Sequence, residues 1–163
     1  MAGSEHFGIE AAKAELYQNA LCILTPISET NKKALAKIEL LWKSVGSSTL
    51  HISPEKHDNS VAAISHIPHV LATALVNMVA ELELKNGRLT RMASTGFRDT
   101  TRIASSHPQI WTDICMENKS SILKVLGEFE HELHEFKLLL MQKKNKKIYM
   151  KFEAAREFRA KLT

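Results

Sequence analysis

Apolar side chains dominate one stretch, Val61 to Leu84, where they fall around nearly the whole helical circumference. That pattern predicts a helix covered on several sides. Its start is written just upstream. Ser53 is placed as an N-cap, Pro54 suits the first helical position, and Glu55 and Asp58 bring negative charge to the positive end of the dipole. The polar residues left in the run are Ser65, His66, His69, Thr73 and Asn77, which recur at helical spacing and form one stripe. Burying such a stripe without partners would cost several kcal/mol, so it should face water, a ligand or another polar element. Pro68 removes a backbone hydrogen bond inside the run and predicts a kink beside the two histidines. A kinked helix with one polar stripe suits the floor of a binding site. The same proline, histidines and asparagine argue against a membrane span.

Downstream the pattern stays helical. Lys85-Asn86-Gly87 reads as a turn, and His107-Pro108 starts a short helix carrying Ile110, Trp111 and Ile114. From Lys119 to Met141, Ile122, Leu126, Phe129, Leu133, Phe136 and Leu140 make a heptad seam, with Leu123 and Leu139 as added apolar cover. Lys143–Lys147 reads as a solvated hinge, and Ile148, Phe152, Ala155 and Leu162 mark a last helix. The bundle carries more apolar surface than its few helices can hide, which predicts dimerisation through helices.

The first fifty residues follow a different rhythm. Gly8 to Ala20 reads as a short amphipathic helix and Leu21–Leu24 as a strand closed by Thr25-Pro26. Thr30 is the expected cap of a helix whose face is Ala34, Ile38, Leu41, Trp42 and Val45, ended by Gly46. Thr49–Ile52 is a second strand. Two short strands are marginal as a sheet, so this part predicts the tail of an α/β domain. The expected fold is mainly α: a helical dimerisation bundle over residues 54–163, preceded at 1–53 by a remnant of a Rossmann-like α/β domain. No internal repeat or low-complexity segment is present.

Composition changes this picture little. Twenty-two Lys and Arg against eighteen Asp and Glu give a mild basic excess, too small to imply a nucleic-acid partner. Cys22 and Cys115 are far apart, lack metal-type spacing and follow no secretory signal, which predicts reduced thiols in a cytoplasmic protein.

Several motifs have a bland and a functional reading. His57-Asp58 could be the metal-binding pair of a phosphohydrolase, but no second pair supports it and a capping or substrate-loop role fits better. His66 and His69 share a face that could hold a metal, yet no cysteine or carboxylate accompanies them, and no metal is expected. His131 and His134 are three apart rather than four, on a solvated helix face. The segment Gly96–Arg102 is more informative. Arg98 and Arg102 stand four apart, Thr100 and Thr101 offer hydroxyls, and Asp99 in a helical turn could fix Arg102 for a bidentate grip on a carboxylate. A surface ion pair is the competing reading.

MAGSE at 1–5, ILTP at 23–26, SPEKHD at 53–58, AAISHIPHVLATALVN at 62–77 and GFRDTTRIASSHPQIWTDI at 96–114 together resemble prephenate dehydrogenase. The resemblance runs in register over most of the chain. It implies an NAD(P)-dependent oxidative decarboxylation of prephenate to 4-hydroxyphenylpyruvate on the route to tyrosine, by a dimer that pairs a Rossmann-like domain with a helical one. It makes Arg102 the carboxylate grip, oriented by Asp99. Ser65 and His69 would line the pocket with His66 close by, and Ser4 and Glu5 would close it from the α/β side. His57 would join a network with Glu5 and Asp99, and Trp111 would lie at the pocket edge near the dimer partner.

The resemblance also marks a departure. In the family a His-Pro pair precedes Met-Ala-Gly-[Ser/Thr]-Glu, and that histidine assists deprotonation of the ring hydroxyl. The methionine of this motif is Met1 here, so the family histidine would precede Met1, and no Gly-x-Gly-x-x-Gly follows a strand. The expectation is therefore a chain with no catalytic residue of its own and no bound cofactor, which binds prephenate or a related carboxylate without turning it over. NAD and NADP stay open, as do prephenate and arogenate, control by tyrosine, and a non-catalytic module that dimerises or senses an aromatic metabolite.

Overall fold

The computed structural model describes residues 12–13 and 15–162, which are mainly helical, with one two-stranded parallel sheet among them. It divides into two compact units, the first ending at Ile122 and the second running from Leu123 to Thr163.

In the first unit, strand β1 (Leu21–Leu24), helix α1 (Lys32–Ser44) and strand β2 (Ser48–His51) form a βαβ element in which Leu21 pairs with Ser48 and Leu24 with His51. The cap of α1 is Asn31, not Thr30. The Asn31 side-chain oxygen accepts from Lys33 N and Ala34 N, while Thr30 Oγ1 accepts from Ile27 N at 2.9 Å and closes the preceding turn. Gly46 ends the helix region with φ +88°, a conformation that favours glycine, and a Cβ there would press on Gln18 Cγ at 3.2 Å. The helix expected at Gly8–Ala20 is not found where the chain is described: 12–13 and Ala20 are irregular, while 8–11 and 14 lie outside the described residues. Its described end, Glu15–Asn19, is a series of turns closed by Asn19 at φ +60°. These turns are fixed by Tyr17, whose ring meets Trp42 edge-on at 5.1 Å and whose carbonyl accepts from Ser47 Oγ at 2.9 Å.

The central helix begins as its sequence predicts. Ser53 Oγ accepts from Lys56 N at 3.2 Å, and Pro54 opens α2 (Pro54–Val61). Where the sequence predicts a kink the structure has a π turn, Ala62–His66, in which Ile67 N donates to the Ala62 carbonyl; α3 (Ile67–Asn86) then resumes the regular helix. Pro68 has no N–H for the Ile64 carbonyl and its ring crowds that oxygen, so widening the helix just ahead of it relieves the clash. Lys85 and Asn86 belong to α3 rather than to the turn. Gly87, at φ +66°, closes the helix by donating to the Glu83 carbonyl.

Burial departs from expectation. Val61, Ala62, Ile67 and Ala72 are buried, but Ile64 is 78% and Leu84 89% exposed, so one chain covers this helix on one side only. The elements beside it are short: a 3-10 turn (Leu89–Met92), α4 (Thr95–Thr101), a 3-10 turn (Arg102–Ser105) and α5 (Pro108–Glu117). By length and composition alone Pro54–Lys85 could cross a membrane, though Pro68, the π turn and both histidines interrupt it.

Helix α6 (Lys119–Met141) starts in the first unit and continues through the second, where the chain reverses at Lys143 (φ +52°) into α7 (Asn145–Arg159). Only the first part of the lysine run is therefore hinge. Phe152 of α7 meets Phe136 edge-on at 5.7 Å, and Lys151 Nζ pairs with Glu132 at 2.7 Å. That places α7 on the side of α6 that carries Leu139, which is buried, and leaves Leu133 and Leu140 of the heptad seam exposed.

Candidate functional site

The π turn and the first turn of α3 bring His66 and His69 against Trp111 of α5. His69 stacks on the indole with ring centroids 3.4 Å apart and planes 18° apart, and His66 meets it edge-on at 6.2 Å. Trp111 is held by a well-made helix start. His107 Nδ1 accepts from Gln109 N at 3.3 Å, Pro108 takes the first position, and Gln109 Nε2 donates to Asp113 at 2.8 Å. Ser65, in the π turn, is half-buried with the two histidines, whereas Thr73 and Asn77 are exposed. His66 and His69 of the polar stripe thus meet another element, while Thr73 and Asn77 face solvent.

Both imidazoles are harder to protonate than in water. Burial lowers the pKa of His66, His57 adds to that, and Asp58 opposes it. Burial also lowers His69, against a hydrogen bond to the Ile103 backbone that favours the protonated ring, while His66 adds a small repulsion. Each is therefore a neutral ring, able both to donate and to accept at neutral pH.

The contact with Ile103 ties the histidines to the arginine segment, because α3 packs on the 3-10 turn that Arg102 opens. Arg102 is exposed but not a free cation. Among the described residues no ion pair joins it to Asp99. The backbone between them explains this: Thr101, at φ −100° and ψ 0°, breaks the regular helix on which a three-residue spacing depends. The Thr101 hydroxyl donates to the Phe97 carbonyl at 2.7 Å, so it is used locally.

His57 Nδ1 lies 2.9 Å from its neighbour Asp58 Oδ1. Of its expected partners, Asp99 shows no hydrogen bond to it among the described residues, and Glu5 lies outside them. Ser4 and Met1 lie outside them too, so the expected closure of the pocket by Ser4 and Glu5, and the expectation that the family histidine precedes Met1, fall on a segment of which the structure describes nothing. Asn118, at the corner between α5 and α6, was not evident from the sequence. Its Nδ2 donates to the Asp58 carbonyl at 2.8 Å and lies 3.3 Å from His66 Nδ1, joining α2, the π turn and the end of α5. A polar residue at a junction of two helices was the available signal, but it is a common one. Among the described residues no three metal-ligating side chains cluster.

A family model described as prephenate dehydrogenase, dimerization domain, matches residues 53–154, and one described as its nucleotide-binding domain matches residues 1–51. The chain is 38% identical over 159 residues to a prephenate dehydrogenase of Bacillus subtilis, covering 98% of this chain and 43% of that protein. It is 39% identical over 138 residues to a cyclohexadienyl dehydrogenase of Zymomonas mobilis, covering 84% and 47%. It therefore spans less than half the length of these relatives. Among solved structures, prephenate dehydrogenase from A. aeolicus in complex with hydroxyphenyl propionate and NAD+ superposes with a TM-score of 0.95 at 33% identity, over 100% of this chain and 57% of that one. The Synechocystis arogenate dehydrogenase gives 0.84 at 26%, over 99% and 59%. The chain belongs to the prephenate dehydrogenase family.

Proposed function

We propose that this chain is the substrate-binding and dimerisation part of an NAD(P)-dependent prephenate dehydrogenase of cytoplasmic tyrosine biosynthesis, with residues 1–53 the end of its nucleotide-binding domain and 54–163 the helical domain. The observation that carries the reading is the packing of the 3-10 turn that Arg102 opens against α3, the helix that bears His69 and the polar stripe. A guanidinium at that turn grips a carboxylate of prephenate, and Asp99 would orient it only once a ligand is in place. Ser65, His66 and His69 face the acid with uncharged polar groups, and Trp111 supplies a flat apolar wall. Ser4, Glu5 and His57 complete the polar surround in this reading.

The nicotinamide nucleotide would accept the hydride that leaves the ring. Neither strand is followed by a glycine-rich turn: β1 runs into Thr25-Pro26 and β2 into Ile52-Ser53. The described residues thus form no pyrophosphate cradle, and the steps they serve are binding and orienting the acid. A second substrate, arogenate, shares the carboxylate that Arg102 would hold, and the likeness to an arogenate dehydrogenase keeps it in view.

Calorimetric titration of the chain with prephenate, arogenate and 4-hydroxyphenylpyruvate tests the reading. Weak saturable binding is expected, reduced at least about tenfold in Arg102→Ala, as for loss of a charge-assisted pair. Equal binding by Arg102→Ala would overturn the carboxylate grip. Binding of tyrosine but of neither substrate would favour a sensing module.

A further inference from the structure

We propose that Asn118 is a positioning residue that holds His66 in the tautomer carrying its proton on Nε2. The argument rests on two distances: Asn118 Nδ2 to the Asp58 carbonyl oxygen, 2.8 Å, and Asn118 Nδ2 to His66 Nδ1, 3.3 Å. A carbonyl oxygen only accepts, so the end of the amide that faces it is the NH2 group. That group has two hydrogens. One goes to Asp58, and the other is left for His66 Nδ1, which must present its lone pair to receive it. A neutral imidazole with a bare Nδ1 has its hydrogen on Nε2. An imidazolium would set an N–H of the ring against an N–H of the amide.

The donor is fixed in place. Asn118 N donates to the Ile114 carbonyl at 3.0 Å and its own carbonyl accepts from Ile122 N at 3.1 Å, so its backbone is fastened to both helices it joins. The ring it faces sits in the π turn, where Pro68 limits the choice of backbone geometry. The titratable groups around His66 are His57 and Asp58 from α2 and His69 from its own helix, with Trp111 against it from α5. Burial and His57 disfavour its charge, in agreement with a lone pair held at Nδ1.

The consequence for a ligand rests on the function proposed above. With Nδ1 engaged, His66 offers the pocket a hydrogen-bond donor at Nε2 and no base. It would recognise an oxygen acceptor, a carboxylate or a ring oxygen, and could not take the ring proton itself.

Long-range 15N–1H correlation on the chain labelled at its eight histidines, with His66→Gln to assign the signal, reads the tautomer directly. At neutral pH the His66 signal should show a bare Nδ1 and a protonated Nε2. Asn118→Asp keeps the shape but offers only acceptors; the tautomer should invert and the titration midpoint rise by about one pH unit or more. Asn118→Ala should give a mixture of tautomers. A proton on Nδ1 in the parent chain overturns the proposal, as does an unchanged tautomer and midpoint in a folded Asn118→Asp chain. Should Asn118→Asp fail to fold, the parent and Asn118→Ala spectra decide. None of these readings needs substrate, so failure of the proposed function in the Arg102→Ala titration would leave the tautomer result standing.

Discussion

His69 lies flat on Trp111, with ring centroids 3.4 Å apart and planes 18° apart, and this stack fastens the start of α3, just after the π turn, to α5. Aromatic pairs contribute roughly 0.5–1.5 kcal/mol beyond the area they bury, and this one, with its rings one over the other rather than offset, belongs at the low end. A double-mutant cycle of His69→Ala and Trp111→Ala, read by denaturant unfolding, should return a coupling of about that size. Additive effects of the two substitutions would mean that the stack is contact without coupling.

Stability should fall on acidification. His66 and His69 both have folded pKa values below the ordinary 6.5, with burial the leading cause. The folded chain then binds fewer protons than the unfolded one, so their contribution is present above pH 6.5 and is lost as pH falls through the depressed folded values. Thermal unfolding at pH 5 should therefore begin below that at pH 7.5, and replacing both histidines by glutamine should flatten the difference. An unchanged pH slope in the double variant would assign the acid sensitivity elsewhere.

Ser53 supplies a cleaner local test, since its hydroxyl oxygen receives the Lys56 N–H at 3.2 Å at the start of α2. Ser53→Ala should cost about 1 kcal/mol, and Ser53→Asp should restore most of it, because a carboxylate caps equally well and complements the dipole. Equal stability of Ser53→Ala and the parent would show that the cap is not felt.

That cap was legible in the sequence because everything it needs is local: a small hydroxyl residue, a proline and an acid in consecutive positions. The same logic misplaced the cap of α1 by one residue. Thr30 and Asn31 are both competent, and the choice between them turned on Thr30 being drawn into the Ile27 turn. That Pro68 would disturb the regular helix was legible; the π form was not, since sequence says which bond is lost and not how the helix rearranges. Part of the geometry around the candidate site was also readable. The stripe of Ser65, His66 and His69 announced itself by spacing, but its meeting with Trp111 and Asn118 depends on how far α5 travels before turning, which no local pattern encodes. Asp99 and Arg102 fail to pair for a related reason: an i,i+3 argument assumes a regular helix, and Thr101 ends it.

The uncovered apolar positions lead to a final prediction. In the second unit α7 takes one side of α6, burying Leu139, while Leu133 and Leu140 remain 54% and 63% exposed, with Phe152 of α7 at 65%. In the first unit Ile64 and Leu84 are exposed along a helix whose sequence is apolar all round. Leaving such groups in water forgoes roughly 1.5–3 kcal/mol for each large side chain that could be buried. A second copy of the chain would supply the cover, in keeping with the dimerization-domain model that matches residues 53–154. Light scattering at micromolar concentration should give twice the 18.3 kDa chain mass, and the melting temperature should rise with protein concentration. Introducing charge by Leu133→Glu together with Leu140→Glu should move the species toward a monomer, whereas Glu128→Lys on an exposed position of α6 should not. A monomeric parent chain with a concentration-independent melting temperature would show that the exposed leucines serve something other than self-association.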